Sequence, residues 1–459
     1  MKTNKTQSQY DKMTRTPINR LILSLSVPAI ISMLITNVYN LVDTAFVGTL
    51  GTSASGAIGI VFGFMSIVQA VGFLFGQGAG SILSRALGEK NKEKASINAS
   101  VGFFSSMLFG LIISVIGLVF IDEVVMLLGS TVTIAPFAKT YVTYILIATP
   151  FMSSGLTMNN LLRYEGKAAL GMVGLMTGAV LNMAGDPILM FGLNMGIAGA
   201  GVSTALSQFI SWMILLSFFC VGKTESRISL RFALKAKPAV FAEIFTTGFP
   251  SLLRQALNSL ATVLLNAQCS VYGDAAVAAM SIVSRIFFFA FSVALGIGQG
   301  YQPVAAFNYG AKKFKRLRDG YRFTLTLNQG IIIFAGILLC VFANELVALF
   351  RDDPEVIRIG AHALRLQSIA GFALPVCMTT EMLMQSTGKR LGATLMSSLR
   401  SGLLFIPMLY IFTALRGLSG IQEAQPASLV LSLPVSIAFA VIYFKRLAQE
   451  EAAFNSKIE

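Results

Sequence analysis

Two acidic residues of this chain stand where an acid is costly. Asp43 closes a long apolar run that begins near residue 17, and Asp186 lies inside another. Each has a hydrogen-bonding residue four positions earlier, Tyr39 before Asp43 and Asn182 before Asp186. On a helix that spacing stacks the two side chains on one face. Asn37 and Asn40 add amides beside Asp43. Carboxyl groups held among amides and hydroxyls, away from bulk water, form a site for a proton or a small cation. The other reading at this point places both acids in interfacial loops, where they are simply solvated. Pro187, directly after Asp186, breaks a helix and keeps that reading open.

The later part of the chain is built differently. Glu381 is the only acid well inside an apolar run there, and Arg254, Arg285 and Arg400 are the bases. Glu381 with an arginine, Arg254 first among them, is either a buried ion pair that holds the helices together or a second polar functional site. Methionines at 172, 176, 183, 190 and 195 read as core filler, or as a flexible lining suited to varied ligands.

Other chemistry lacks its residues. Gly388-Lys389 has no upstream glycine and makes no phosphate loop, so no ATP is expected to be used. Gly72, Gly76, Gly78 and Gly80 miss the dinucleotide spacing and read as close helix packing. His362 is the only histidine, which leaves a His-based metal site or a Ser-His-Asp triad without support. Cys220, Cys269, Cys340 and Cys377 form no Cys-x-x-Cys pair and read as apolar packing. The expectation is a chain that is not an enzyme and needs no cofactor, with no metal site beyond possible Na+ at Asp43 and Asp186.

Composition says what must position these groups. Of 459 residues, 55% are hydrophobic and only 12% charged, about half the charge density of a soluble domain. That excludes a soluble enzyme, a disordered chain and a fibrous protein. The apolar runs predict an all-α integral membrane protein with twelve spans, near 17–43, 53–80, 96–121, 133–160, 167–190, 196–221, 239–268, 275–304, 321–343, 355–384, 391–415 and 426–444. Lipid offers the backbone no partners, so the spans are helices. The first is too long for a signal-peptide core and reads as retained.

Twenty-seven of the 35 Lys and Arg fall at the N-terminal side of these spans, while the opposite loops hold only Arg351 and Arg416. The positive-inside rule then places both termini in the cytoplasm. The formal charge of +14 is thus topology and attraction to membrane lipids, with no nucleic acid as partner.

The chain also repeats itself. One constant offset, the one that carries Pro28 onto Pro250, brings further landmarks into register. Gly76-Gln77-Gly78 meets Gly298-Gln299-Gly300, and Gly166-Lys167 meets Gly388-Lys389. Six spans per repeat is an even number, so the repeats enter the membrane in one direction as two parallel six-helix bundles with a central cleft. The expected parts are a cytoplasmic tail (1–16), a first bundle (17–221), a linker (222–238), a second bundle (239–444) and a second tail (445–459).

With these residues in place, the chain resembles the multidrug and toxic compound extrusion family. The resemblance rests on Asn182 to Gly192 (NMAGDPILMFG), on Gly196, Gly199 and Gly201 followed by Thr204, on Asn159-Asn160 with Arg163 and Gly166, and on Pro28 fifteen residues before Asp43. It covers nearly the whole chain. It implies a monomeric antiporter that exports drugs or organic cations in exchange for inward H+ or Na+. It implies a coupling site in the first half at Tyr39, Asp43, Asn182, Asp186 and Thr204, and a helix hinge at Pro28. Asn159 departs from the pattern, since some related exporters carry an acid there, and so does Lys167-Ala168, where Asn-Pro is common. The rival is a lipid-linked precursor flippase of the same broad superfamily. A channel lacks a filter here, and a membrane enzyme lacks a convergent set of catalytic ligands.

Overall fold

The computed structural model describes residues 8–456, which form helices and, among those residues, no strand. Lys2, Lys5 and Lys457, counted above as cytoplasmic cations, lie outside the described residues, as does the start of the expected N-terminal tail. Twelve long helices follow in order. They are α1 (Ile18–Gly48), α2 (Thr52–Gly88), α3 (Lys92–Val119), α4 (Ala135–Tyr164), α5 (Ala168–Gly192) and α6 (Ile197–Cys220). The second six are α7 (Pro238–Ser270), α8 (Asp274–Gly310), α9 (Phe314–Val341), α10 (Pro354–Ser386), α11 (Arg390–Arg416) and α12 (Leu418–Asn455).

Ten of the twelve are long and apolar enough to cross a bilayer by themselves; α4 and α7 fall short. Their polar residues explain why. Along α4 these are satisfied by neighbouring helices: Ser153 Oγ donates to the Ser106 carbonyl at 3.0 Å, and Trp212 Nε1 donates to Ser154 Oγ at 2.9 Å. A span buried inside protein need not be apolar all round.

Several helices outlast their apolar runs. The span expected at 426–444 belongs to a helix of 38 residues, because polar residues beyond the lipid are good helix formers too. Three spans change their winding. α5 ends in a π-helical turn at Ile188–Gly192, α10 tightens to a 3-10 turn at Gly371–Ala373, and α11 carries a π-helical turn at Leu399–Leu403. Pro375, just after the 3-10 turn, lacks the N–H that would continue the ladder. Two short helices lie where polar tail and linker were expected, Gln9–Arg15 and Leu230–Lys235.

The repeat is visible in the backbone. The offset that carries Pro28 onto Pro250 carries both ends of α2 onto the ends of α8, and both ends of α3 onto the ends of α9. Gly51 and Gly273 precede their helices with positive φ, and Lys90 and Lys312 both adopt left-handed φ near 60° at matching turns.

The compact units divide the chain differently from the repeat. One holds the described residues up to Met13 together with Val27–Leu252; the other holds Thr14–Ser26 and the chain from Leu253 onward. Each repeat's first helix therefore changes unit near its proline, Pro28 in α1 and Pro250 in α7. Close packing secures the exchanged segments. A Cβ on Gly248 would lie 1.8 Å from the Leu74 carbonyl within the first unit, and a Cβ on Gly300 would lie 2.1 Å from Ser26 Oγ within the second. Gly248 is the repeat counterpart of Ser26, so the two crossings are equivalent.

Candidate functional site: a buried carboxyl cluster

Four helices of the first unit meet around Asp43 and Asp186. α1 brings Tyr39 and Asp43, α4 brings Tyr141, α5 brings Asn182 and Asp186, and α6 brings Ser203 and Thr204. All are buried: Asp43 is 4% exposed and Asp186 is fully buried. The missing side chain of Gly185 lets α6 come close, since a Cβ there would lie 2.6 Å from Ser203 Oγ. Gly199 sits against the backbone at Leu189 and Met190. The glycines of the Asn182–Thr204 stretch thus close the site by removing bulk between α5 and α6.

The hydrogen bonds run in a defined direction. Tyr141 Oη donates to Asp43 Oδ2 at 3.0 Å and lies 3.3 Å from Thr204 Oγ1. A phenol has one proton, and here it goes to Asp43, so Thr204 donates to Tyr141. Thr204 Oγ1 in turn accepts from Asn182 Nδ2 at 3.1 Å, and the same Nδ2 donates to Asp186 Oδ1 at 3.2 Å. One amide therefore serves both acids, directly at Asp186 and through two hydroxyls at Asp43. A longer contact, 3.4 Å, joins Asn182 Nδ2 to Ser203 Oγ, which itself donates to the Asn182 carbonyl at 3.2 Å.

The two carboxyl groups are immediate neighbours. Three buried oxygens of the cluster have no hydrogen-bond partner: Asp43 Oδ1, Asp186 Oδ2 and Asn182 Oδ1. All three are acceptors. Such a set suits a proton or a cation, because a buried acceptor without a donor is costly.

The structure brings together all five residues expected there, Tyr39, Asp43, Asn182, Asp186 and Thr204. It places the acids inside helices and not in solvated loops. Tyr39 is an electrostatic neighbour of both carboxyls, but the phenol that donates to Asp43 belongs to Tyr141. Sequence reasoning missed Tyr141 and Ser203. A tyrosine inside the fourth apolar run was the available signal. Pro28 is buried within an unbroken α1, and Ser32 Oγ donates to its carbonyl at 2.8 Å. In the second unit Arg254 Nη1 donates to Glu381 Oε1 at 2.6 Å, the ion pair weighed above. Among the described residues, no group of three or more His, Cys, Asp or Glu is placed to hold a metal ion.

Comparison with known proteins agrees with this architecture. The MatE family model matches the chain twice, over residues 28–188 and 250–411, and the two matches start at the repeat partners Pro28 and Pro250. Multidrug export protein MepA of Staphylococcus haemolyticus is 28% identical over 408 residues, 88% of this chain and 89% of that protein. MepA from a strain of Staphylococcus aureus is 27% identical over 410 residues, covering 89% and 90%. The structure of the Vibrio cholerae MATE transporter VcmN matches with a TM-score of 0.87 at 22% identity, covering 94% of this chain and 97% of that one. An outward-facing multidrug resistance MATE transporter matches at 0.90 and 24% identity, covering 96% and 99%. With both copies of the repeat matched, this multi-pass membrane protein belongs to the MatE family, the multidrug and toxic compound extrusion transporters.

Proposed function

We propose that this chain is a secondary antiporter that exports amphipathic, often cationic, compounds in exchange for an inward cation bound at Asp43 and Asp186. The cluster of three buried, unpartnered acceptors carries the proposal. The multidrug export named for the relatives supports the direction and the class of cargo. Two carboxyls in one dry pocket do not both ionise easily, so the pair takes a proton from an acidic exterior and releases it inside.

The relay supplies the response. With Asp43 protonated, its O–H becomes a donor, Tyr141 turns its proton to Thr204, and the Asn182 amide flips, so that Oδ1 accepts from Thr204 and Nδ2 leaves Asp186. The chain of bonds reverses without leaving the site. The new pattern favours another setting of α1, which Pro28 permits because the Ser24 carbonyl has no backbone N–H to hold it. Coupling is then a population shift between two helix settings. A second reading, Na+ as the coupling ion, is favoured by Asn182 Oδ1, a neutral oxygen beside two carboxylates.

Vesicles with separately imposed pH and Na+ gradients test both. Ethidium transport is expected to follow ΔpH. Following ΔNa+ alone assigns the site to sodium, and following neither defeats antiport. The chain is proposed to act as a monomer with both termini cytoplasmic. Cysteine labelling at Lys92, Lys235 and Lys315 from the inside, and at Ser53 and Asp274 from the outside, checks the orientation; Lys92 and Lys315 labelling from opposite faces would sink it.

A further inference from the structure

We propose that the second unit contains a site for the carboxylate of an aromatic, carboxylate-bearing amphipath, with Arg400 as its ligand. This rests on the efflux reading above and names the residue that holds a carboxylate on the cargo.

The helices of the second unit carry an excess of positive charge. Arg254, Arg285 and Arg400 lie within α7, α8 and α11, and Glu381 is the one acid well inside a helix of this unit. Glu381 is committed, since its Oε1 takes the 2.6 Å bond from Arg254. Arg400 is an electrostatic neighbour of both members of that pair. Its guanidinium donates no hydrogen bond to any described residue and instead lies over the Phe291 ring, 5.5 Å from the centroid.

The backbone places Arg400 deliberately. It sits on the π-helical turn Leu399–Leu403, a kind of turn that recurs at functional sites. Its neighbour Ser401 donates to Asn258 Oδ1, one turn along α7 from Arg254, and Gly402 packs against Leu257. These contacts hold α11 beside α7 at the level of Arg254, sixteen residues from either end of its helix. That is about 24 Å along the helix from each end, too deep for a phospholipid phosphate.

A half-buried guanidinium at this depth offers five N–H donors and is expensive without an acceptor. A carboxylate matches its fork with two parallel bonds and brings Arg254, Glu381 and Arg400 to zero net charge. Phe291 supplies a face for the ligand's aromatic ring. Carboxylate, aromatic ring and amphipathic body together define the ligand.

The test uses the purified full-length protein in detergent micelles, with no gradient, and two dyes: a rhodamine with a free carboxyl group and its methyl ester. Arg400→Gln is expected to weaken binding of the free acid about tenfold, equal to about 1.4 kcal/mol, and that of the ester by less than about twofold. Benzoate should displace the free acid from wild type and leave the ester in place. Arg400→Lys, which keeps the charge and loses the fork, should fall between. Equal weakening of both dyes, or unchanged binding of the free acid, overturns the proposal. If Arg400→Gln fails to fold, the wild type decides: equal affinity for acid and ester with no benzoate competition overturns it. Loss of gradient coupling with dye discrimination intact would strike the antiport reading alone.

Discussion

The offset that relates the two repeats carries Asp43 onto Leu265, and carries Tyr141 and Asp186 onto Ala363 and Met408. Leu265 and Ala363, 5% and 1% exposed, share one apolar core cluster with Phe405 and Leu409, and Met408 packs against it. The reverse step carries Arg254 to Ser32, Arg400 to Gly178 and Glu381 to Asn159. One backbone plan thus encloses carboxylates in the first unit and hydrocarbon at the matching place in the second. The fold does not need the acids, because leucine and alanine fill the equivalent space. Buried charge is often no more stabilising than well-packed hydrocarbon, so an acid pair kept in one repeat alone points to function.

The largest effect should separate the two places cleanly. Asp43→Asn and Asp186→Asn keep size and remove titration, so each is expected to stop ΔpH-driven ethidium efflux while the protein still folds. Leu265→Asn, the same amide in the second repeat, should leave coupling in place and cost about 1–3 kcal/mol of stability by burying an unpaired polar group. Wild-type efflux from both aspartate variants would end the distinction between the repeats.

The next effect concerns the second unit's own charges. Glu381→Gln leaves Arg254 without its carboxylate, and breaking a buried pair from one side costs about 3–5 kcal/mol. The purified variant should melt markedly lower while its remaining transport stays gradient-driven. Unchanged melting with coupling abolished would make Glu381 a second ion site.

Much of this contrast is legible in the sequence. Apolar runs mark the spans, the constant offset between landmarks marks the repeat, and acids inside those runs mark the site. Tyr141 is not legible, because hydroxyls are common in spans and only the crossing of α4 with α1 selects this one. The four-residue spacing of Tyr39 and Asp43 gives a shared face, yet sharing a face does not decide which phenol donates. The exchange of Thr14–Ser26 between units is hidden for a similar reason. Apolarity says that a segment crosses lipid, not which bundle it joins; a residue as small as Gly300, against Ser26, settles that by how near a backbone can come.

The smallest effect tests a second difference between the repeats, at the turns that end α4 and α10. Glu165, fully buried at the end of α4, accepts from the backbone N–H of Glu225 at 2.9 Å and of Ser226 at 3.0 Å, and from the Ser226 hydroxyl. Its counterpart Thr387 bonds back to the Leu383 and Met384 carbonyls of the helix it ends. The linker is thereby fastened to the first unit, and Glu225 adds a bond from Lys92 at 2.6 Å and a contact to Lys167 at 3.8 Å. Burial pushes the Glu225 carboxyl up, but the Lys92 hydrogen bond and the charges of Lys167 and Lys92 outweigh it and hold the group below its ordinary 4.5. A carboxyl held below its unfolded value stabilises the fold above that value, and the stabilisation is lost as pH falls through the lowered one. Lys92 is 70% exposed, so the whole contribution is at most about 1 kcal/mol. Glu225→Gln should therefore lower melting slightly at neutral pH, and the difference from wild type should shrink as pH falls through 4.5 and below. A difference that widens toward acid would mean that burial, not the lysines, controls Glu225.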